Sequence, residues 1–331
     1  MKNLSTFFTA FFLAFSAPAQ DTFSIAAVDS LTGEVGSAGA SCLDNIVFPN
    51  SGGAIIISTV LPGRGVIHTQ AQWSAGNQFV ARNKMLEGLS PTEIVAWMQT
   101  HDANFNPSIR QYGIADFSPT GSPRAAGFTG ANCLDWKGHK TGPNYAIQGN
   151  ILLGPAILDS IEARFLAATG SLADRLMAAL QGANVVGADT RCADNGTSSL
   201  SAFLRVAKPT DAANSLYLSL NVPSLPAGQE PIDSLQSLYN QWKATIPTAE
   251  PTAMQVRISP NPAFEHIEVV LQNAASAQLK IFDLNGLIAF SQDISPGQNR
   301  LSPTLPNGVY FVRIQTLEGR SWAQRLIWQK P

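Results

Sequence analysis

Thr22-Phe23-Ser24-Ile25-Ala26-Ala27 reads as a short strand, and Val35-Gly36-Ser37-Ala38-Gly39-Ala40-Ser41 as a second one built from small residues. The turn-rich run Asp29-Ser30-Leu31-Thr32-Gly33-Glu34 lies between them, so the two are expected to close as a β-hairpin. Working outward, residues 54–60 (AIIISTV) form a near-continuous apolar run, the pattern of a strand buried on both faces, and residues 65–71 read as a further strand.

Helices follow. Residues 78–87 are one candidate. In the next, Ser90 is the N-cap, Pro91 sits at the first helical position, Glu93 completes a capping box, and Ile94 and Met98 share a face. Residues 111–117 and 125–129 read as strands paired around a Pro-Thr-Gly-Ser turn, and residues 145–153 as a strand with a glycine break. Ile157, Ile161 and Phe165 mark a helix over 156–169, and Ser171 caps another that ends before Gly182. Residues 200–206 and 215–222 close the series as strands. Strands, two helices, strands, two helices, strands is an α+β order in which helix pairs cover sheet faces. Residues 223–254 contain an amphipathic stretch at 232–242 among prolines and polar residues, which reads as a linker or as a closing helix plus a linker.

The amino terminus has the three zones of an export leader: Lys2, an apolar run at 7–15, and Ala17-Pro18-Ala19-Gln20 as a small-residue cleavage zone. Residues 1–20 are therefore expected to be a signal peptide. The apolar run is too short for a bilayer span, which takes roughly 20 apolar residues. Of the 331 residues, 13% are charged and 45% hydrophobic, and the net charge is −2. That charged share is about half the usual one. With no basic run, a nucleic-acid partner is not expected. The four histidines and three cysteines form no metal-ligand spacing, so no metal or other cofactor is called for. An oxidising compartment allows one disulfide among Cys42, Cys133 and Cys192 and leaves one thiol over; the spacing does not say which pair forms, and Cys133 is expected to be a disulfide partner.

From Ile258 onward the pattern is all short alternating strands, at 267–271, 277–282, 308–315 and 321–328, with turn signals at Asp283-Leu284-Asn285-Gly286 and Pro306-Asn307-Gly308. Such strands without helices make a small β sandwich. Ser259-Pro260-Asn261-Pro262, Ile281-Phe282-Asp283-Leu284-Asn285-Gly286, Leu305-Pro306-Asn307-Gly308-Val309-Tyr310-Phe311-Val312-Arg313 and the basic end at Lys330 closely resemble the C-terminal sorting domain of type IX secretion in Bacteroidetes. The resemblance implies handling by that machinery, passage across the outer membrane, and release or attachment at the cell surface. On the residues alone, a carbohydrate-binding or adhesion sandwich is the competing reading of residues 255–331.

The larger part carries a second resemblance. Thr22-Phe23-Ser24-Ile25, Thr32-Gly33-Glu34-Val35-Gly36, Thr69-Gln70-Ala71, Cys133-Leu134-Asp135-Trp136-Lys137-Gly138-His139, Gln148-Gly149-Asn150 and Gly187-Ala188-Asp189-Thr190-Arg191 are similar to the bacterial domain of unknown function ten-twenty-eight. That family is grouped with the N-terminal-nucleophile (Ntn) hydrolases. The resemblance implies a four-layer αββα Ntn-hydrolase-like domain over residues 21–222.

The chemistry such a site needs is simple. An N-terminal Thr, Ser or Cys attacks a carbonyl while its own α-amino group, with an ordinary pKa of roughly 7.7–8.0, serves as base. The developing oxyanion needs preorganised donors. Thr22 is the candidate nucleophile and Asn150, after the glycine break, a candidate donor; Asp189 and Arg191 would orient the site, and His139 is a second polar candidate. Each has a structural reading: a strand threonine, a strand-end asparagine, a salt bridge in a turn, a surface histidine. Cleavage after Ala19 leaves Gln20 and Asp21 ahead of Thr22, so the mechanism requires a further trimming step or self-cleavage. The expected activity is hydrolysis of an unknown amide or peptide bond. A non-catalytic surface-binding module and a cysteine hydrolase using Cys133 with His139 are the rival readings.

Overall fold

The computed structural model describes residues 22–246, 254–274, 276–316 and 320–329; the leader expected at residues 1–20 lies outside them. Two compact units divide between Thr245 and Ile246.

The first unit opens with the expected hairpin, β1 (Thr22–Val28) against β2 (Val35–Ser41), followed by β3 (Ser58–Leu61) and β4 (Gly65–Ala71). Then come α1 (Ala75–Leu86), α2 (Pro91–Thr100), β5 (Arg110–Phe117), β6 (Pro123–Thr129), β7 (Gly138–Thr141) and β8 (Tyr145–Gly149). The unit ends with α3 (Pro155–Ala167), α4 (Leu172–Gln181), β9 (Ser201–Ala207), β10 (Leu218–Val222) and α5 (Pro231–Thr245). A six-stranded sheet has the order β10-β9-β2-β1-β8-β7, and a four-stranded one the order β3-β4-β5-β6. All pairings within both sheets are antiparallel.

Strand alternation sorts the side chains by face. Phe23, Ile25 and Ala27 of β1 join Ile161, Phe165, Leu176 and Leu180 of α3 and α4, with Leu235 of α5, in one core. Their neighbours Ala26 and Val28 turn the other way and pack with Val60, Val66 and Ala115 of the second sheet. The opposite face of that second sheet meets α1 and α2 through Ile67, Tyr112, Ile114, Met85, Ile94 and Met98. The helices are secured locally as their sequences require. Ser90 with Glu93, and Ser171 with Asp174, form reciprocal capping boxes, each cap worth about 1 kcal/mol.

Four segments depart from the sequence reading. The run at 54–60 is not one strand. Gly53–Ile57 is a 3₁₀ helix, entered through Gly52 and Gly53 at φ 72° and 77°, and only Ser58 onward is extended. An apolar run alone does not separate a buried strand from a short buried helix. The strand at 145–153 stops at Gly149, because Ile151 takes a left-handed φ of 53°. His139 is exposed, as a surface histidine would be, but it lies in edge strand β7, which the sequence reading does not mark, paired with Gln148. Finally, Cys133 is a free buried thiol, not a disulfide partner; the bridge joins Cys42 to Cys192.

The second unit is all β. A three-stranded sheet contains β11 (Gln255–Ser259), β12 (Ile267–Gln272) and β15 (Gly297–Leu301), and a four-stranded one contains β13 (Ala277–Phe282), β14 (Ile288–Ile294), β16 (Gly308–Thr316) and β17 (Ser321–Trp328). Their apolar faces share one core that includes Ile267, Val269, Leu279, Ile281, Val312, Ile314 and Trp328. β11, β14 and β15 were not evident from the sequence; Gln-Asn-Arg in β15 and Ser-Gln-Asp in β14 give little apolar alternation.

Candidate functional site

The layer between the two sheets of the first unit changes character along its length. At the Val28 end it is apolar. Toward Thr22 the inward positions become Ser24, Ser37, Ser58, His68, Gln70, Gln111 and Gln148, nearly all fully buried. Burying so many polar groups is costly unless they are mutually hydrogen-bonded, and here they are. Ser24 Oγ donates to Gln70 Oε1 (2.5 Å) and accepts from Gln148 Nε2 (2.6 Å). Gln70 Nε2 donates to the Thr22 carbonyl (2.9 Å) and to Gln111 Oε1 (2.8 Å). Gln111 Nε2 reaches Thr129 Oγ1, Gly138 O and Gly149 O at 2.9–3.0 Å.

His68 sits at the centre with no exposed surface. Gln148 Nε2 lies 2.9 Å from its Nδ1, and Ser37 Oγ lies 2.5 Å from its Nε2. With Gln148 donating to Nδ1, the ring proton sits on Nε2 and goes to Ser37, which passes its own hydrogen to Ser58 Oγ at 2.8 Å. Burial, aided by the Arg205 guanidinium, pushes the His68 pKa down to about 3, so the ring is neutral.

Thr22 begins β1 at the polar end and is completely buried. Its carbonyl also accepts from the Asn150 backbone N–H at 3.3 Å. Asn150 in turn lines a cavity of about 220 Å³ together with Ala71, Gln72, Asn132, Cys133 and Leu134. Two non-glycine residues flank this region in the left-handed conformation, Ala71 at φ 64° and Ile151 at φ 53°. Such backbone costs on the order of 1–3 kcal/mol and persists only where the surroundings fix it. Ile151 is fixed on both sides, its N–H bonding Leu134 O at 3.2 Å and its carbonyl accepting from Thr190 N at 3.0 Å. On the Gln72 side, the buried Arg110 guanidinium donates to Gln72 O, to Asp102 Oδ2 (2.7 Å) and to Asn104 Oδ1 (2.7 Å). Burial alone would raise the Asp102 pKa, but hydrogen bonds from Arg110, Asn77 and two backbone N–H groups outweigh it and hold the carboxyl well below its usual range.

The structure thus brings Thr22, Asn150, Asp189 and Arg191 to one end of the six-stranded sheet. The Asp189 carboxylate is fully buried; it accepts from Cys42 N (2.8 Å) and from Arg191 Nη2 (2.8 Å), and it caps the 3₁₀ helix Thr190–Asn195. Cys42 directly follows Ser41, the cross-strand partner of Thr22, so the ion pair and the Cys42–Cys192 disulfide brace the Thr22 end. His139 stands apart. Its Nδ1 meets Thr129 Oγ1 at 2.9 Å, and a chain of side-chain bonds through Thr129, Gln111 and Gln70 connects it to the Thr22 carbonyl. Cys133 donates its thiol to Arg110 O at 3.3 Å, and burial pushes its pKa up, the reverse of what a thiolate nucleophile needs. Ser24, His68, Gln70 and Gln111 escaped the sequence reading. Their signal was the alternation Val66-His68-Gln70 against Ile67-Thr69, which puts His and Gln on one face of a strand.

The family model described as "Family of unknown function (DUF1028)" matches residues 22–235. The chain belongs to the DUF1028 family. A solved structure of the same family, protein SPO2555 from Silicibacter pomeroyi, is 25% identical over 70% of this chain and 92% of its own, with a TM-score of 0.53. The mixed α+β fold of the first unit resembles that DUF1028 structure. Residues 257–329 match the secretion system C-terminal sorting domain. The DUF1028 domain is therefore followed by a type IX sorting domain, which is handled by that secretion machinery and directs the protein across the outer membrane to the surface or medium. PorZ of Porphyromonas gingivalis, described as a surface component of the type IX system, matches at 13% identity over 39% of this chain and 21% of its own, with a TM-score of 0.22. No curated protein matches the chain. Among the described residues, no helix is long and apolar enough to cross a membrane.

Proposed function

We propose that this DUF1028 chain is an exported amidohydrolase of the N-terminal-nucleophile type, acting on an amide or peptide bond through Thr22. The observation that carries the reading is the place of Thr22. It begins β1 at the polar end of the inter-sheet layer, its carbonyl is held by Gln70 and Asn150, and Asn150 lines the adjoining cavity. Helices on the outer face of each sheet, with the sheets face to face, support a four-layer αββα arrangement for residues 21–222, with α5 closing it and residues 255–331 serving as the sorting unit.

In this reading, cleavage of the Asp21–Thr22 bond frees the Thr22 α-amino group. Thr22 Oγ1 then attacks the substrate carbonyl and the α-amino group takes its proton. The Asn150 carboxamide donates to the oxyanion. Collapse expels the amine, which receives the proton, and water hydrolyses the remaining ester. Asp189 and Arg191 hold the shape of the end at which this happens, and His139 supports it at a distance through Gln111.

The complete burial of Thr22 favours a second reading, a non-catalytic binding module on the same scaffold. Intact mass spectrometry of the secreted protein separates the two. A mature chain beginning at Thr22, acylated by a β-lactone probe and inert to it as Thr22→Ala, supports the hydrolase. A chain beginning at Gln20 or Asp21 overturns it.

A further inference from the structure

The outer face of the four-stranded sheet in the sorting unit carries a cluster that folding does not explain. Register places Ile288 opposite Phe282, Phe282 opposite Phe311, and Phe311 opposite Arg325. Phe311 is 49% exposed and Ile288 55%; Leu284 and Leu287, in the hairpin loop beside them, are 70% and 67% exposed. Val309 and Ile327 pair in the neighbouring row. These side chains face away from the core that Leu279, Ile281, Val312 and Ile314 fill on the other side of the same strands. Two residues further along, Lys280 stands directly opposite Arg313.

Directly opposed like charges destabilise a sheet, and a contiguous exposed apolar patch on a soluble domain marks an interaction surface. Among the described residues, no carboxylate pairs with Lys280, Arg313 or Arg325. The arrangement is an apolar centre bordered by three cations that make no ion pair among the described residues, with Asp293, opposite Gln278, on the same face one diagonal step from Lys280.

We propose that this face, centred on Phe282 and Phe311 and bordered by Lys280, Arg313 and Arg325, is the surface by which the sorting unit docks on the export machinery. The partner it fits is a protein face with an apolar centre and a carboxylate border. Charge complementarity sets the occupant: the unpaired cations gain their counter-charges on docking while the aromatic row is buried. The face also explains why the Ile281–Gly286 and Gly308–Arg313 motifs combine alternate core residues with exposed Phe and basic ones.

The test uses the full chain expressed in a type IX-competent host, with the fraction reaching the medium or surface measured against the fraction held in the periplasm. Lys280→Glu/Arg313→Glu and Phe311→Ser are each expected to cut export by at least about tenfold, while Lys280→Arg/Arg313→Lys exports normally. Each purified variant is checked for an unchanged thermal midpoint, so that loss of export is not loss of folding; Gln298→Lys, on the other sheet, is the exporting control. Normal export of both Lys280→Glu/Arg313→Glu and Phe311→Ser overturns the proposal. So does co-sedimentation of the wild-type chain with phosphatidylglycerol vesicles that the charge reversal abolishes while export stays normal, which would make the face a lipid site. A wild-type dimer in sedimentation velocity that the variants dissolve with export intact would make it a self-contact, and likewise overturns it.

Discussion

Gln70 Nε2 donates 2.9 Å across the inter-sheet layer to the carbonyl oxygen of Thr22, so the first residue of β1 is held by the opposite sheet. The same carboxamide accepts from Ser24 Oγ and donates to Gln111 Oε1, which makes Gln70 the junction between the Thr22 end and the His68 cluster. Gln70→Leu keeps the volume but removes all three bonds. It leaves Gln111 Oε1 without its donor in a buried layer, where an unsatisfied group costs about 1–3 kcal/mol, and leaves the Ser24 hydroxyl to compete with Gln148 for His68 Nδ1, 2.9 Å away. The expected outcome is a loss of about 2–4 kcal/mol in urea unfolding, together with slowed acylation of Thr22 by the β-lactone probe. A Gln70→Leu protein as stable as wild type would show that the layer relaxes around the change.

Gly113 has a different kind of dependence on the same network. A Cβ built on it would stand 1.7 Å from Gln148 Oε1. The neighbour that would have to move is the carboxamide that bonds both Ser24 and His68. Gly113→Ala is therefore expected to lower stability by roughly 2–3 kcal/mol, at the upper end for overpacking, because the displaced group is hydrogen-bonded. Gly121, a turn glycine with open space around it, should accept alanine at a smaller cost confined to its φ of 81°. Thermal midpoints of the two variants measured side by side check the ordering.

The elements of the first unit were legible where local chemistry fixes them. The hairpin at Thr22–Ser41, the Ser90 and Ser171 caps, and the paired strands around the 118–122 turn each follow from a few adjacent residues. The 3₁₀ helix at Gly53–Ile57 was not legible, because its choice over a strand rests on contacts far away in sequence. Ala54 N bonds Ser201 Oγ at 3.0 Å, and a Cβ on Gly53 would strike Ser201 and Pro223 O. The same holds for the site. The motifs drew attention to Thr22, Asn150, Asp189 and Arg191, whose gathering at one sheet end only the topology reveals. Ser24, His68, Gln70 and Gln111 were not singled out as site residues, because no two of them are closer in sequence than two positions, whereas Gln148 stands in the Gln148-Gly149-Asn150 motif. Their bonds run across 41 to 124 residues.

The disulfide yields a thiol count and a stability difference. Cys42–Cys192 closes a separation of 150 residues, and Cys133 alone is free and buried. The non-reduced protein should show no thiol reactive to Ellman's reagent when native and one when denatured. Cys42→Ser/Cys192→Ser removes the cross-link beside the Asp189 carboxylate, and the expected loss is about 2–5 kcal/mol, as for native disulfides elsewhere. Two reactive thiols in the native protein would contradict the pairing.

His68 gives the pH dependence its sign. Its ordinary pKa is 6.5, and burial with the nearby Arg205 charge lowers it to about 3 in the folded protein. Between those values the unfolded chain binds a proton that the folded one does not, so acid favours unfolding. The contribution is complete above pH 6.5 and is lost progressively as the pH falls toward 3. From pH 6 to pH 4 the loss is roughly 2–3 kcal/mol from this residue. Replacing the ring by Gln keeps a donor and an acceptor for Ser37 and Gln148 but cannot titrate. His68→Gln should be less stable than wild type at pH 7 and should lose less stability on acidification, so the two urea midpoints converge as the pH falls to 4. Parallel pH profiles for the two proteins would mean that His68 is not the group that carries the acid sensitivity.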